Sequence, residues 1–361
     1  MSVQFIGMIG HRLSSETIAP SGPVFDKQYI ARIAQAHEEA GFDRILVGYW
    51  SDQPDGFLVT ALAGLSTSKI GFLLAHRPGF VAPTLAARKL ATLDHLLDGR
   101  LALHVISGGS DAEQRKDGDW LDHDQRYART EEFLQVIKQV WTSDAPFDHQ
   151  GELYRAERAF SAVKPLQKPH LPIYFGGSSA VAHRVAGEHA DVYALWGESL
   201  EQTRETIEKV RAEAARHGRV VRFSVSFRPI VAETEEAAWA KAEDILQRAR
   251  QRLESAGTAL PCKPDSVGAQ RLRETVAKGE RVDKRLWTGI AKVVGGAHNS
   301  TALVGTPEQV ADALLDYYDL GVTTFLIRGF DPLDDAIEYG RELLPLTRAK
   351  VAEREREAVS A

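Results

Sequence analysis

Cysteine and long apolar runs are scarce in this sequence. The 361 residues contain one cysteine, Cys262, which excludes an intramolecular disulfide and a cysteine-based zinc cluster. No stretch approaches the roughly 20 apolar residues that cross a bilayer. The opening MSVQFIGMIG also has no basic segment ahead of a signal-like apolar run. We therefore expect a soluble, cytoplasmic protein with no membrane partner.

Several motifs that identify common enzyme classes are missing as well. No G-x-G-x-x-G follows the first strand-like segment, which disfavours a dinucleotide site. G-x-S-x-G and H-E-x-x-H are absent, so neither a hydrolase nucleophile elbow nor a metal site is expected. The formal net charge is -6, and lysine and arginine are not gathered into a block. A nucleic-acid partner is therefore not expected.

What is present is a regular alternation of short aliphatic runs with amphipathic stretches. The strand-like runs are VQFIGMIG, DRILVGYW, KIGFLLAH, RLALHVISGG, LPIYFGG, DVYALWG, VRFSVSFRPIV and TTFLIRG. Between or after them, helical patterns cover 29–40, 57–65, 83–97, 130–141, 179–188, 200–217, 235–253 and 307–320. Eight such units predict a (β/α)8 TIM barrel. We interpret residues 1–361 as a single domain.

Two stretches interrupt this repeat. Residues 147–168 have the pattern of a short hairpin-like insertion. Residues 257–300 are rich in Gly, Lys and Arg and too long for an ordinary connection. Such a segment is either a functional lid or a disordered excursion, and the mouth of a barrel favours the lid.

The clearest local motif is YFGGSS, residues 174–179, in which a strand ends in two glycines and two hydroxyls before a helix. Free amides, Gly177, Ser178 and Ser179 suit an anion such as a phosphate. The alternative is a plain strand-to-helix turn with a serine cap. In DHDQRY, residues 122–127, His123 and Tyr127 have the donors to reach the same anion. Alternatively, these residues form only the solvated, polar first turn of a helix.

Other candidates lie at the ends of predicted strands. In a TIM barrel these ends form the face that carries the reactive groups of the enzyme. His11 and His76 end the first and third strands and have the chemistry to move protons. Ser107 begins a stretch of little bulk, which suits a planar ring or simply a turn. Alternatively, either histidine has only a structural role, with its ring nitrogens hydrogen-bonded within the protein.

An aromatic residue and two cations mark the last three strand ends. Trp196 ends the sixth strand, Arg228 lies in the seventh, and Arg328 with Phe330 follows the eighth. This lining suits a small, partly apolar anion. The alternative is that the aromatics cap the barrel and the arginines pair with carboxylates.

At the level of whole segments, the sequence resembles the flavin-dependent alkanesulfonate monooxygenases of the bacterial luciferase-like family. The similarity covers nearly the whole chain and is carried by ATLDHLLDGRLALHVISGG, DHDQRYARTEEF, YFGGSS, ALWGE and GGAHNSTALVGTPEQVA. The resemblance implies a barrel whose insertion closes over FMN. It also implies FMNH2 delivered by a separate NAD(P)H-dependent FMN reductase, O2 as co-substrate, and a homodimer or homotetramer. Its reaction converts an organosulfonate to an aldehyde and sulfite.

The resemblance also assigns residues. The family's FMN phosphate contacts fall on His123, Tyr127, Ser178 and Ser179, its first-strand histidine on His11, and its strand-three flavin contact near Ala75 and His76. Together with the local motifs, this predicts flavin contacts at Ala75, His76, Ser107, His123, Tyr127, Gly177, Ser178 and Ser179.

The substrate side departs from the family pattern. Ser226 and Arg228 stand where the family has an arginine and a histidine, Gln53 replaces a cysteine, Val294 an arginine, and Phe330 a tyrosine. We hypothesise that Arg228, Arg328 or Lys292 restores the lost positive charge. The expected catalytic residues are His11, Arg228 and Arg328, and the expected substrate contacts are Gln53, Trp196, Arg228, Lys292, Arg328 and Phe330.

This departure predicts an altered specificity. The alternatives are a monooxygenase acting on a sulfone, thioether or nitrogen compound, a deazaflavin-dependent oxidoreductase, and a catalytically silent flavin-binding protein.

Overall fold

Eight parallel strands close into a barrel in the computed structural model, which describes residues 3–257 and 266–360. Numbered along the chain, the barrel strands are β1 (Gln4–Ile9), β2 (Arg44–Val47), β3 (Gly71–His76), β4 (Leu101–Val105), β7 (Ile173–Gly176), β8 (Val192–Trp196), β9 (Arg222–Phe227) and β14 (Val322–Ile327). The last strand, β14, pairs with the first. All eight predicted strands take part, so the predicted fold class is confirmed.

Helices surround the barrel. They are α1 (Lys27–Glu39), α2 (Gly56–Leu65), α3 (Pro83–Leu96), α4 (Asp111–Lys116), α5 (His123–Thr142), α6 (Ala180–His189), α7 (Leu200–Arg216), α8 (Glu235–Ser255), α9 (Val267–Lys278), α10 (Gly289–Val293), α11 (Pro307–Asp319), α12 (Asp334–Glu338) and α13 (Leu344–Ser360), with a π-helical turn at Tyr339–Leu343. Across the described ranges, no helix combines the length and apolarity that a membrane span requires.

Helix α3 illustrates how the sequence sets these boundaries. Pro83 occupies its first turn, where a missing N–H costs nothing. Ala86, Leu90 and Leu93 are buried on one face. Each buried leucine contributes about 1.5–3 kcal/mol to folding. After the helix, Gly99 adopts a φ of 77° that few other residues tolerate. The predicted helix is therefore confirmed to within one residue.

Strand residues alternate between two cores. Those facing outward pack against the helices in the main core and include Phe5, Phe72, Leu103, Phe175 and Val225, all fully buried. Those facing inward fill the centre of the barrel: Ile6, Leu73, Ala102, Tyr174 and Val192. This alternation fixes which strand-end side chains point into the barrel.

The insertion at 147–168 forms the predicted hairpin. Strands β5 (Phe147–Gln150) and β6 (Arg155–Ala159) pair antiparallel.

The described residues of the 257–300 insertion, which was predicted to be a lid, form helices and short strands. Residues 258–265, which include Cys262, lie outside the described residues. The remainder contains α9, α10, β11 (Arg281–Val282) and β12 (Leu286–Trp287). Strand β12 joins a small sheet with β10 (Ile230–Val231) and β13 (Ala302–Gly305).

The predicted seventh strand, VRFSVSFRPIV, is divided in two. Its first part is barrel strand β9, and its last two residues form β10, which pairs with β13 outside the barrel. Pro229 lies between them and has no N–H to continue a ladder, so the chain leaves the barrel there. Arg228 consequently follows β9 instead of lying within it.

Candidate active site

The barrel is filled at its centre, and near the carboxyl ends of its strands several inward-facing residues are small or partly exposed. Above the inward-facing core, four inward positions are small: Ala75, Gly176, Ala194 and Ser226. Met8, His104, Ala194 and Trp196 remain partly exposed, whereas their outward-facing neighbours are buried. These residues line the mouth of the barrel, here called the recess.

One side of the recess, here called the phosphate pocket, consists of His123, Tyr127, Gly177, Ser178 and Ser179. A Cβ on Gly177 would lie 2.5 Å from the hydroxyl oxygen of Tyr127, so only glycine allows this approach. Ser179 caps α6 by accepting a hydrogen bond from the Ala182 amide at 3.3 Å. The rings of His123 and Tyr127 are 4.8 Å apart.

The electrostatics of the phosphate pocket suit an anion. Burial raises the pKa of Tyr127, with a partial offset from its hydrogen bond to Ser179, so the phenol remains protonated and can donate. The first amides of α6 add donors and the positive end of the helix dipole. The structure thus brings together two sequence segments that were predicted to share a ligand.

Two other predicted flavin contacts point elsewhere. The Ser107 hydroxyl lies 3.0 Å from the Thr130 hydroxyl of α5. The ring of His76 lies between Phe57 and Phe133, with centroids at 5.9 and 5.3 Å, and burial lowers its pKa to about 4. Both side chains face the helix layer because strand alternation turns them outward. A flavin contact through either side chain is therefore not supported, whereas Ala75 faces the recess.

The other side of the recess, here called the arginine cluster, consists of Glu16, Arg228 and Arg328. Glu16 Oε1 lies 2.8 Å from Arg228 Nη1 and accepts a hydrogen bond from Arg328 Nη2 at 2.5 Å. Burial opposes the ionisation of Glu16, but the two guanidinium groups outweigh it and hold its pKa well below the usual range. The two arginines thus lie close together, and both pair with a carboxylate, as the alternative interpretation of the sequence had it.

Arg228 forms the floor of the arginine cluster. Its side chain is 1% exposed, and its Nη2 donates to the Gly329 carbonyl at 2.7 Å. Its guanidinium carbon lies 3.6 Å from the centre of the Phe330 ring. Burial, followed by repulsion from Arg328, lowers the pKa of Arg228 to about 10, so it is still charged at pH 7. Phe330 is buried beneath Arg228 and therefore supports the cluster from below.

The remaining predicted residues are dispersed. His11 is 9% exposed, and burial followed by the charge of Arg12 lowers its pKa, which favours a neutral imidazole at pH 7. Trp196 faces the recess. Gln53 is exposed in the loop after β2, and Lys292 is exposed on α10. Within the described parts of the chain, no hydrogen bond or ion pair joins either of them to the arginine cluster.

Three residues of the mouth were not singled out from the sequence. Glu16 lies in a polar loop that gives no signal for its inward position. His298 follows two glycines with a φ of 56°, and burial followed by Arg328 lowers its pKa. His104 faces the recess from β4, and burial lowers its pKa to about 4. Strand alternation alone identifies His104, because it is two residues beyond Ala102, which faces inward.

Helix α9 of the 257–300 insertion lies over the mouth. A Cβ on Gly268 would lie 2.9 Å from the Trp196 ring and 3.4 Å from Ser178 Oγ. Arg271 anchors the helix through an ion pair of 2.7 Å with Glu198. The beginning of α9 therefore touches the phosphate pocket and the recess at once.

Several buried polar atoms without partners lie at this mouth. Over the described residues, they include His11 Nδ1, Glu16 Oε2, His104 Nδ1, Ser226 Oγ, Arg228 Nε and Nη1, and Arg328 Nε. Most buried polar groups in proteins are hydrogen-bonded, so these atoms are available to a polar ligand. The small inward residues and the phosphate pocket fit a flavin mononucleotide.

Comparison with known proteins agrees with this geometry. The model of the luciferase-like monooxygenase family matches residues 3–324. The chain belongs to this family. Enzymes of the luciferase-like monooxygenase family depend on flavin, and their (β/α)8 barrel is the fold described above.

Solved structures share the fold at low sequence identity. The riboflavin lyase RcaE, solved with modified FMN and riboflavin, matches with a TM-score of 0.76 and 21% identity over 97% of this luciferase-like chain and 92% of its own. EDTA monooxygenase from Chelativorans sp. BNC1 matches with a TM-score of 0.76 and 19% identity, and the match covers 97% of this chain and 94% of the EDTA monooxygenase chain. The coenzyme F420-dependent tetrahydromethanopterin reductase from Methanopyrus kandleri matches with a TM-score of 0.69 and 20% identity, and the match covers 96% of this chain and 99% of the reductase chain.

Proposed function

We propose that this chain is the oxygenase of a two-component system that uses reduced FMN and O2 to desulfonate a small organosulfonate. A separate NAD(P)H-dependent reductase would supply the FMNH2. The observation that carries the proposal is the arrangement of one recess with the phosphate pocket on one side and two arginines on the other. Family membership supports the flavin and the oxygenation.

The residues present define how FMN would be held. His123, Tyr127, Ser178 and Ser179 would bind its phosphate, and the small residues Ala75, Gly176 and Ala194 leave space for its ring. Bound reduced FMN supplies the two electrons with which one atom of O2 enters the substrate and the other leaves as water.

The arginine cluster would bind the sulfonate. Two cations and one carboxylate leave one net positive charge at the edge of the recess. Low exposure strengthens this attraction relative to bulk water. In the balanced reaction, R–CH2–SO3⁻, O2 and FMNH2 give R–CHO, HSO3⁻, FMN and water. The C–S bond breaks, and the carbon loses one hydrogen as a proton, which neutral His11 or His104 has the chemistry to accept.

A second candidate is oxygenation of an uncharged sulfone, thioether or nitrogen compound. It is favoured by Glu16, which already compensates one of the two arginines. The similarity to an F420-dependent reductase adds a third candidate, a deazaflavin-dependent oxidoreductase. Anaerobic absorbance titration with each reduced cofactor separates the flavin from the deazaflavin.

The test of the proposal is sulfite release from a panel of alkyl, hydroxylated and sugar sulfonates. Purified protein is combined with FMN, NADH and an unrelated FMN reductase. We expect sulfite that requires both O2 and the protein. Arg328→Gln should raise the KM, whereas Arg216→Gln, a matched change on the exposed face of α7, should not. If FMNH2 binds but no sulfite forms, the flavin assignment stands and the sulfonate assignment is wrong.

A further inference from the structure

The guanidinium group of Arg328 is only partly used by the protein. Its Nη2 binds Glu16 Oε1, and its Nη1 lies 3.7 Å from Met8 Sδ, a weak acceptor. Its Nε has no hydrogen-bond partner among residues 3–257 and 266–360. The side chain is 25% exposed, compared with 1% for Arg228. Arg328 is therefore the more accessible arginine, and its guanidinium group has hydrogen-bonding capacity that the described residues do not use.

Arg228, in contrast, is enclosed by its surroundings and is only 1% exposed, although its Nε also lacks a hydrogen-bond partner among the described residues. Glu16, the Gly329 carbonyl and the Phe330 ring surround its guanidinium group. Glu16 contacts both arginines, so the cluster as a whole carries one net positive charge, and Arg328 is its more exposed cation. Among the neighbouring groups, Glu113 is bound to Arg77 and Lys116, and the lowered pKa of His298 favours its neutral form at pH 7.

We propose that Glu16 sets the charge of the substrate, so that the arginine cluster accepts a ligand with one negative charge at Arg328 and rejects a dianion. This inference rests on the proposed function in one respect, that the substrate binds at the arginine cluster. A second negative charge would lose its hydration and meet the Glu16 carboxylate instead of a cation. The cluster thus discriminates by the number of charges as well as by shape.

A purely structural role for Glu16 makes a different prediction. The loop that carries Glu16 is also held by Thr17, whose hydroxyl donates to the Phe330 carbonyl at 3.1 Å. If Glu16 only fixed this loop, glutamine, which has the same shape, would weaken all ligands alike. If Glu16 sets the charge, glutamine would change the preference between ligands of different charge.

The experiment compares ethanesulfonate with ethane-1,2-disulfonate, which share a carbon chain and differ by one charged group. Binding is measured by anaerobic calorimetry on protein saturated with FMNH2. We expect the wild type to prefer the monoanion at least tenfold. Glu16→Gln should shift the ratio of the two Kd values at least tenfold toward the dianion, and the exposed control Glu236→Gln should leave it unchanged.

The outcomes separate this inference from the proposed function. An unchanged ratio in Glu16→Gln overturns the inference even if sulfite is released, and so does a wild type that binds neither ligand. A shifted ratio supports the inference even if no sulfite forms. If Glu16→Gln does not fold, Arg328→Gln provides the test, because it leaves Arg228 and Glu16 as a neutral pair. Ethanesulfonate should then bind at least tenfold more weakly, and an unchanged Kd overturns the inference.

Discussion

The phosphate pocket and the arginine cluster face one recess, but they obtain their polarity in different ways. The phosphate pocket uses neutral hydroxyls, glycine and the start of α6, and its parts come from the loops after β4 and β7, which are neighbours in the barrel. The arginine cluster uses full charges from the loops after β1, β9 and β14. Backbone shape therefore defines the first site, whereas the balance of charges defines the second.

This difference has energetic consequences. Helix amides and hydroxyls tolerate water in place of a ligand, so the phosphate pocket adds little strain to the fold. A buried ion pair is costly to break, because the partner that remains is a desolvated charge. We therefore expect changes in the arginine cluster to affect stability, and changes in the phosphate pocket to affect mainly FMN binding.

The strongest test of this comparison is Arg228→Met. Removing the buried guanidinium group takes away an ion pair, the hydrogen bond to Gly329 and the contact with Phe330. We expect the free energy of unfolding to fall by about 3–5 kcal/mol, measured by urea denaturation. The surface control Arg216→Met should change it by less than about 1 kcal/mol. A loss equal to that of the control would mean that the cluster does not stabilise the fold.

The next effect is expected for Gly177→Ala. The added Cβ would lie 2.5 Å from the Tyr127 hydroxyl and 2.7 Å from the Ala182 Cβ, so the turn that forms the phosphate pocket must shift. We expect the Kd for FMNH2 to rise by roughly 50-fold, because a clash of this kind costs about 1–3 kcal/mol. Anaerobic fluorescence titration measures it. In Gly109→Ala the nearest atom would be at 3.6 Å, and this variant should bind normally.

A smaller effect is expected for Tyr127→Phe. The change removes one hydroxyl from the phosphate pocket and leaves the packing of the ring against Phe175 intact. Because a hydrogen bond to a charged group contributes about 1.5 kcal/mol, the Kd for FMNH2 should rise by about tenfold. The free energy of unfolding should fall by only about 0.5–1.5 kcal/mol, because the hydrogen bond to Ser179 is lost. Equal Kd values for variant and wild type would show that this hydroxyl does not reach the phosphate.

The smallest effect concerns pH and the arginine cluster. The pKa of His298 is lowered by burial and then by Arg328, so this ring gains a proton only below the usual histidine value of about 6.5. Protonation adds a positive charge beside Arg328. The KM for a monoanionic sulfonate should therefore fall as the pH decreases below about 6.5. In His298→Gln this dependence should disappear, and a variant with the wild-type profile would assign it to another group.

The barrel and the phosphate pocket could be predicted from the sequence because the patterns that indicate them lie within short segments of the chain. Each barrel strand is a compact apolar run, and the glycine and serine cap of YFGGSS are adjacent in the chain. Strand alternation could also have predicted which strand-end side chains face the recess. It places Ala75 toward the recess and His76 toward the helices, once Leu73 is recognised as an inward-facing residue.

The covering helix and the arginine cluster were harder to predict for physical reasons. Helix α9 buries a short face of Gly268, Ala269, Leu272 and Thr275, in which leucine is the only large apolar residue, and polar contacts such as that of Arg271 hold it in place. Glu16 is a loop carboxylate among polar neighbours. Only the three-dimensional fold shows that it turns inward between two arginines.

Glu16 and Arg328 are separated by 312 positions in the sequence, yet they share a hydrogen bond. Their loops follow β1 and β14, the first and last strands of the ring, which pair with each other. During synthesis, the segments of the phosphate pocket emerge long before the last strand, so that pocket has all its parts in an incomplete chain. The arginine cluster can form only when the final strand docks against the first. Binding of a sulfonate would then require the complete ring of strands. A C-terminal truncation before β14 should therefore abolish sulfonate binding.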